Sequence, residues 1–179
     1  MNLKVLPLAL ILAVATFAAC SNDDDDNNAV NSTDRDYVTK AAMSNYAEIS
    51  AARLADSMYD LDPSSHDADI NAFANMMIMH HQIAQDSLQT NVAQPLGLNA
   101  PDSLDAAHVQ MAAMLRTLSG RAFDSAYIHG QVTDHQATID LFQTEAASGN
   151  NNTVKAYEAQ YIDVIQMHKA MSDTLAAKY

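Results

Sequence analysis

The fold is decided by the stretch VKAYEAQYIDVIQMHKAMSDTL, residues 154–175. Its apolar residues recur at alternating spacings of three and four, which places them on one side of an α-helix and is typical of a helix packed against other helices. The stripe consists of Val154, Tyr157, Tyr161, Val164, His168, Met171 and Leu175. His168 is its one imidazole, so the stripe that builds the core also carries a side chain able to bind metal.

The chain from residue 33 onward has the same helical character and no strand-like alternation. Turn residues around 60–63 and 94–101, Gly120 as a break and Gly149 as a stop divide it into helices. The expected helices span 34–60, 66–92, 102–119, 121–148 and 152–177. Four are long and favour an up-down-up-down bundle. The sequence therefore predicts one all-α domain over 33–179, with 102–119 as an additional short helix in the connection between the second and third long helices.

The N-terminus has the features of a lipoprotein signal. Residues 1–19 combine Lys4, an apolar run and small residues ahead of Cys20, which is typical of a secretory signal peptide. The sequence FAACS resembles a bacterial lipobox, in which the cysteine is lipidated and becomes the mature N-terminus. Cys20 is the single cysteine and has no partner for an internal disulfide. We therefore expect a signal peptide over 1–19 and a lipid on Cys20.

The residues after Cys20, SNDDDDNN, are too polar and too like-charged to pack. Self-repulsion extends such a run, so 20–32 is expected to be a flexible acidic tether that carries the lipid. The run also resembles the export tags of surface lipoproteins in Bacteroidetes-like bacteria, which implies an outer-membrane lipoprotein that faces the periplasm or the cell surface. A net charge of −13 argues against nucleic acid as a partner and for attachment by lipid. Protein partners are not predicted.

Each long helix carries an ionisable residue near the midpoint of its inward stripe. These residues are Glu48, then His80 or His81, then His135, then His168. In a bundle their heights agree to within about one helical turn, roughly 6 Å, so their side chains can meet in the core. Three imidazoles and a carboxylate suit one transition metal ion such as Zn, Cu or Fe. The hydrophobic periodicity of the second helix favours His80 over His81 for the inward position.

Two alternative functions are open at this point. A Glu–His layer can also be a metal-free polar network that fixes helix register in a structural or interaction module. The second alternative is a metal-dependent oxidoreductase or hydrolase. A di-iron centre, however, needs Glu-x-x-His pairs, and none of the three glutamates has a histidine three residues later. No nucleophile elbow is present either, so an enzyme is the less favoured class.

The remaining soft side chains are assigned to packing or to the surface. The methionines near the histidines, Met76, Met77 and Met79, point in different directions on a helix and are expected to fill the core or face solvent. Asp105 and His108 are expected on a solvated helix face. His66 and His129 have no obvious partner and are expected at the surface.

The chain also resembles a bacterial family of unknown function, regarded as predicted outer-membrane proteins with a ferritin-like helical bundle. The resemblance rests on YAEI with Glu48, FANMMIMHH ending at His81, SGRAFDSAYIHGQVTDH ending at His135, and QMH ending at His168. It implies a ferritin-like form of the predicted bundle and His81 as the inward histidine, with His80 where the family usually has Asp. MMIMHHQIA also resembles a second family of secreted helical proteins that is linked with metal handling.

Overall fold

The computed structural model describes residues 28–179. The signal peptide, Cys20 and the acidic run of the tether lie outside the described residues. Over the described range the regular structure is helical, which confirms the all-α prediction. The elements are α1 (Ser32–Leu61), α2 (Ala68–Ser87), a π-helical segment (Leu88–Ala93), α3 (Gln94–Leu96), α4 (Ala106–Leu115), α5 (Gly120–Ser148) and α6 (Asn152–Ala176). No helix within residues 28–179 is long and apolar enough to cross a membrane.

Side-chain caps set where the helices begin. Asn31 accepts a hydrogen bond from the Asp34 N–H while Asp34 accepts one from the Asn31 N–H, a reciprocal pair that starts α1. Asp105 accepts from the His108 N–H at 2.8 Å and starts α4. The short helix therefore begins later than the predicted 102–119, because Asp105 and not Asp102 provides its cap, and it ends earlier, at Leu115.

The last residues of the predicted tether are attached to the bundle. Asn151 donates a side-chain hydrogen bond to the Asn28 carbonyl at 2.7 Å, and Asn150 donates one to the Ala29 carbonyl at 2.8 Å. Asn31 donates to the Ser148 carbonyl at 2.9 Å. Residues 28–31 thus lie against the turn between α5 and α6.

The directions of the helices differ from the prediction. The His66 ring, in the α1–α2 turn, is hydrogen-bonded to Asp124 near the start of α5 at 2.8 Å. α5 therefore begins where α2 begins, and both run in the same direction. The up-down-up-down order was wrong because residues 97–119, which include α4, span the bundle lengthwise. This connection reaches about 75 Å when extended, whereas α5 rises only about 44 Å.

The long helices enclose a core that is divided at mid-height. α1 packs against α2 and α5, and α6 packs against α5 and less extensively against α2. One apolar cluster surrounds Tyr37 and Phe142, and a second surrounds Phe73 and Phe123. Between these clusters the inward positions are polar. The polar layer consists of Asn45, Glu48, His81, Gln131, His135 and His168, all buried.

The inward stripe of α6 departs from the predicted stripe toward its end. Ile165 and Ser172 are buried, whereas Met171 is 36% exposed and Val164 is only half-buried. An α-helix has 3.6 residues per turn, so a strict 3.5-residue repeat drifts around its surface. The drift leaves Met171 on the side of α6 that faces α2.

Candidate metal centre

Three histidines from three helices converge in the polar layer. One ring nitrogen from each of His81, His135 and His168 lies within 4.8 Å of the others. The rings are 3%, 1% and 0% exposed, respectively. Their centroids are separated by 5.2 to 5.8 Å. We call these three residues the histidine trio.

Hydrogen bonds to oxygen fix the protonation of two members of the trio. His81 Nδ1 lies 2.9 Å from the Asn45 side-chain oxygen, and His135 Nδ1 lies 2.8 Å from the Gln131 carbonyl oxygen. An oxygen acceptor requires Nδ1 to carry the hydrogen, which leaves Nε2 with a lone pair in a neutral ring. Both Nε2 atoms are buried and have no hydrogen-bond partner among the described residues.

The third member, His168, pairs with His80. His80 Nδ1 lies 2.9 Å from His168 Nε2, and the two rings stack with a centroid distance of 5.2 Å and an interplanar angle of 15°. The His168 Nδ1 atom is buried without a partner in residues 28–179. His81 is thus the inward histidine of the pair on α2, and the half-buried His80 contacts the trio from outside. Periodicity alone favoured the wrong residue for the inward position.

Glu48 lies beside the trio and not within it. Its Oε2 accepts a hydrogen bond from the Gln131 side-chain amide at 2.6 Å, and its Oε1 is 3.7 Å from His135 Nδ1. Glu48 therefore faces the hydrogen-bonded edge of the His135 ring, away from the free Nε2. Burial raises the pKa of the Glu48 carboxyl, and the nearby His135 partly offsets that effect.

Burial favours the neutral form of His81 and His168. It lowers the pKa of His81 well below its usual range, and the neighbouring imidazoles of His135, His168 and His80 lower it further. Burial likewise lowers the pKa of His168 to about 3, with His135 and His80 adding to the effect. A neutral imidazole is the form that binds a metal ion, so the arrangement favours ligation over charge.

Comparison with known families places the chain. Residues 20–175 match the family described as Domain of unknown function (DUF4142). This chain belongs to that family. No curated protein matched it. A solved structure similar to it is the crystal structure of a DUF305 fragment from Deinococcus radiodurans, with a TM-score of 0.69 and 10% identity over 84% of this chain and 99% of that chain. At this identity the likeness shows the fold alone.

In this DUF4142 member a cavity of about 300 Å³ opens between α1, α4 and α5, and Glu48 lines it. At the same cavity His108 Nδ1 lies 2.8 Å from Asp105 and its Nε2 lies 3.8 Å from Asp134. The pKa of His108 is raised to about 9 by Asp134 against the opposing effect of burial, with Asp105 contributing. His108 is therefore a charged link between α4 and α5. The expectation of a solvated helix face was wrong here, because its second carboxylate comes from a distant part of the sequence.

The two histidines expected at the surface have different environments. His129 is exposed, and its ring Nδ1 is hydrogen-bonded to the Ser125 carbonyl one turn earlier at 2.8 Å. The His66 side chain is 4% exposed, bonds to Asp124, and accepts a hydrogen bond from the Gly120 N–H at 3.2 Å. His66 thus joins the α1–α2 turn to the start of α5, and its surface assignment was wrong.

Two site residues, Asn45 and Gln131, were missed by sequence reasoning. Asn45 holds His81 and also donates hydrogen bonds to Gln85 at 3.4 Å and to the Tyr157 hydroxyl at 3.2 Å. A signal for both existed, since Asn45 lies three residues before Glu48 and Gln131 lies four residues before His135. These spacings place them on the same helix faces as the predicted ligands.

Proposed function

We propose that this protein is a lipid-anchored cell-envelope protein that binds one transition metal ion through His81, His135 and His168. The observation that supports this most directly is the set of three buried, unpartnered ring nitrogens. Each buried polar atom without a partner costs about 1–3 kcal/mol. Three of them together cost an amount comparable with the 5–15 kcal/mol, roughly, that stabilises a typical domain. A bound ion removes that cost.

The donor set and its supports fit a metal site. Three imidazoles suit Zn, Cu or Fe, and a bound ion would supply a Lewis-acidic or redox-active centre. Each imidazole has its other nitrogen held: His81 by Asn45, His135 by the Gln131 carbonyl, and His168 by His80. These three hydrogen bonds correspond to the outer hydrogen bonds that orient metal-binding histidines. Glu48 adds a carboxylate beside His135.

The architecture belongs to the same proposal. The four long helices α1, α2, α5 and α6 form a ferritin-like four-helix bundle, and residues 97–119 supply the one long crossover that such folds use. Each long helix contributes at least one residue to the polar layer, and α1 and α5 contribute two each. The bundle is thus a rigid frame for the trio.

The envelope location is proposed from the sequence. Residues 1–19 have the features of a signal peptide, and the lipobox-like FAACS with Cys20 favours lipid attachment. The acidic run after Cys20 favours a tether at the outer membrane, with the domain facing the periplasm or the cell surface. Contact with the membrane is through the lipid, and the charge of −13 disfavours nucleic acid.

Elemental analysis of the full-length protein tests the metal proposal. Protein purified in detergent without any chelator is expected to retain about one metal ion per chain. The double variant His135→Ala/His168→Ala is expected to lose the ion. The variant His129→Ala, which removes an exposed histidine from the same helix as His135, should retain it. Absence of metal from the wild type, or retention of metal by the double variant, would contradict the proposal.

A metal-free structural or interaction module is the second candidate. The observation that favours it is that Asn45 and Glu48 already link α1 to three other helices by hydrogen bonds. In that case ordered water would satisfy the trio, and stability would be indifferent to chelators. A metal-dependent oxidoreductase or hydrolase is a further alternative, favoured only by the cavity that reaches Glu48.

A further inference from the structure

An ion that binds the trio must pass between the residues that surround it, and these residues differ in their exposure to solvent. The groups that contact the outer edges of the rings are Asn45, Glu48, Gln131 and His80. Asn45 is 5% exposed, Glu48 4% and Gln131 2%. His80 alone among these four is half-buried and in contact with solvent. The side of His168 that faces His80 is therefore the least enclosed side of the trio.

The seam between α2 and α6 is also the least extensively packed of the four helix pairings that surround the trio. A groove of about 530 Å³ lies in this seam and is lined on α6 by Met167, Ala170 and Met171. Met167 directly precedes His168 in the chain. Met167 and Met171 are 42% and 36% exposed, and unbranched thioether side chains move aside easily. On α2 the groove is lined by Asp69, Ala72 and Phe73, about two helical turns before His80, and on α6 its flexible lining begins at Met167, the residue next to His168.

We propose that this groove is the entrance by which the transition metal ion reaches the trio, and that His80 is the first imidazole that the ion meets. The inference rests on the proposed metal-binding function and adds the route. His80 presents an imidazole at the solvent side of the seam and is hydrogen-bonded to His168 behind it. When His80 exchanges that hydrogen bond for a bond to the ion, the ion stands next to His168, the member of the trio that His80 contacts.

The cavity beside Glu48 is a less suitable route. Glu48, which lines it, faces the Nδ1 edge of His135 at 3.7 Å, where the ring is already bonded to the Gln131 carbonyl at 2.8 Å. The hydrogen bond from Gln131 to Glu48 at 2.6 Å closes the same edge. An ion on this side would have to displace both hydrogen bonds, whereas on the other side it displaces one, between His80 and His168.

Three matched tryptophan variants separate the two routes. Ala170→Trp fills the α2–α6 groove, Ala137→Trp fills the cavity beside Glu48, and Ala159→Trp adds the same side chain at an exposed site of α6 outside both. None of them changes a residue of the polar layer. Uptake and release of Co²⁺ by full-length, metal-stripped protein are followed by stopped-flow absorbance, and the equilibrium affinity is measured by competition with a chelator.

We expect Ala170→Trp to slow both uptake and release by about tenfold, with an equilibrium affinity within about threefold of the wild type. Ala137→Trp and Ala159→Trp should load at the wild-type rate. His80→Phe, which keeps a stacked ring but has no nitrogen ligand, should also slow uptake while the groove stays open.

Two results would overturn the route. Slow uptake in Ala137→Trp together with normal uptake in Ala170→Trp would place the entrance at Glu48, and wild-type rates in both Ala170→Trp and His80→Phe would remove the α2–α6 seam from the path. Normal affinity for Co²⁺ is required of the tryptophan variants alone, because His80 holds the His168 ring and its replacement lowers the affinity as well. A wild-type protein that binds no Co²⁺ at equilibrium would instead contradict the proposed function itself, so the two failures are distinct.

Discussion

Replacing the buried acid Glu145 by glutamine is expected to stabilise the protein at alkaline pH. Glu145 is fully buried near the end of α5 and lies so close to Gly149 that a Cβ there would overlap its carboxyl. Burial raises the pKa of Glu145 to about 8, and the adjacent carboxylate of Asp34 raises it as well. Asp34 stays charged, because although burial alone would raise its pKa, backbone N–H groups of Asn31, Asn151 and Asn150 lower it below the usual value. In the folded protein the Glu145–Asp34 pair thus carries one proton, which is bound to Glu145.

The sign of the effect follows from that proton. The unfolded chain releases it near pH 4.5 and the folded chain near pH 8, so the free energy of unfolding falls as pH rises through this window. The full shift corresponds to roughly 5 kcal/mol, and solvent screening at this end of the bundle reduces the expected effect to about 2–3 kcal/mol. Glutamine mimics the protonated acid at every pH. Glu145→Gln should therefore match the wild type near pH 5 and be more stable by about 2–3 kcal/mol at pH 9.

Urea unfolding followed by helical circular dichroism at pH 5, 7 and 9 measures this difference. At pH 9 the melting temperature of Glu145→Gln should be higher than that of the wild type by about 5–10 °C. Asp140→Asn, which removes an exposed acid from the same helix, is the matched control and should follow the wild-type pH profile. A Glu145→Gln variant that loses stability in parallel with the wild type above pH 7 would refute the reasoning about the shared proton.

Two further predictions concern charge and metal. His108→Gln should lower the free energy of unfolding by about 1 kcal/mol at pH 6 and have no effect above pH 10. Because the pKa of His108 is raised, its charged form stabilises the fold fully below pH 6.5, and this stabilisation is lost as pH rises through about 9. Denaturant unfolding at both pH values checks this. A strong chelator should lower the melting temperature of the wild type by several degrees and leave His135→Ala/His168→Ala unchanged, because only a folded trio binds the ion; an equal fall in both proteins would argue against the trio.

The height of the polar layer was predictable even though the directions of the helices were not. Glu48, His135 and His168 lie near the midpoints of long helices, and a midpoint keeps its height when the helix direction is reversed. The sequence could not show the direction of α5, because a connection of this length can either turn back or span the bundle. The error in topology therefore left the polar layer intact.

The periodic pattern could not decide whether His80 or His81 faces the core. After Met77 the core stripe continues at either a three- or a four-residue step, and a helix of 3.6 residues per turn uses both. The structure takes the four-residue step and buries His81. The same uncertainty moved Met171 out of the core and into the α2–α6 groove.

Partners that are distant in the sequence account for the other errors. His66 and His108 each pair with a carboxylate of α5, Asp124 or Asp134, and no local pattern links them. Asn45 and Gln131 were detectable in principle as polar residues on inward faces. Their roles as holders of His81 and His135 depend on backbone placement that only the folded chain provides.

X-ray absorption at the edge of the bound metal tests the central claim most directly. The full-length protein, purified without chelator, is expected to show three imidazole nitrogens at about 2.0–2.1 Å if the metal is zinc, together with the outer-shell scattering of imidazole rings. His168→Ala should reduce the imidazole count by one or abolish binding, whereas His129→Ala should leave the spectrum unchanged. A first shell of sulfur or of oxygen alone, or a spectrum that is indifferent to His168, would contradict a metal centre at the histidine trio.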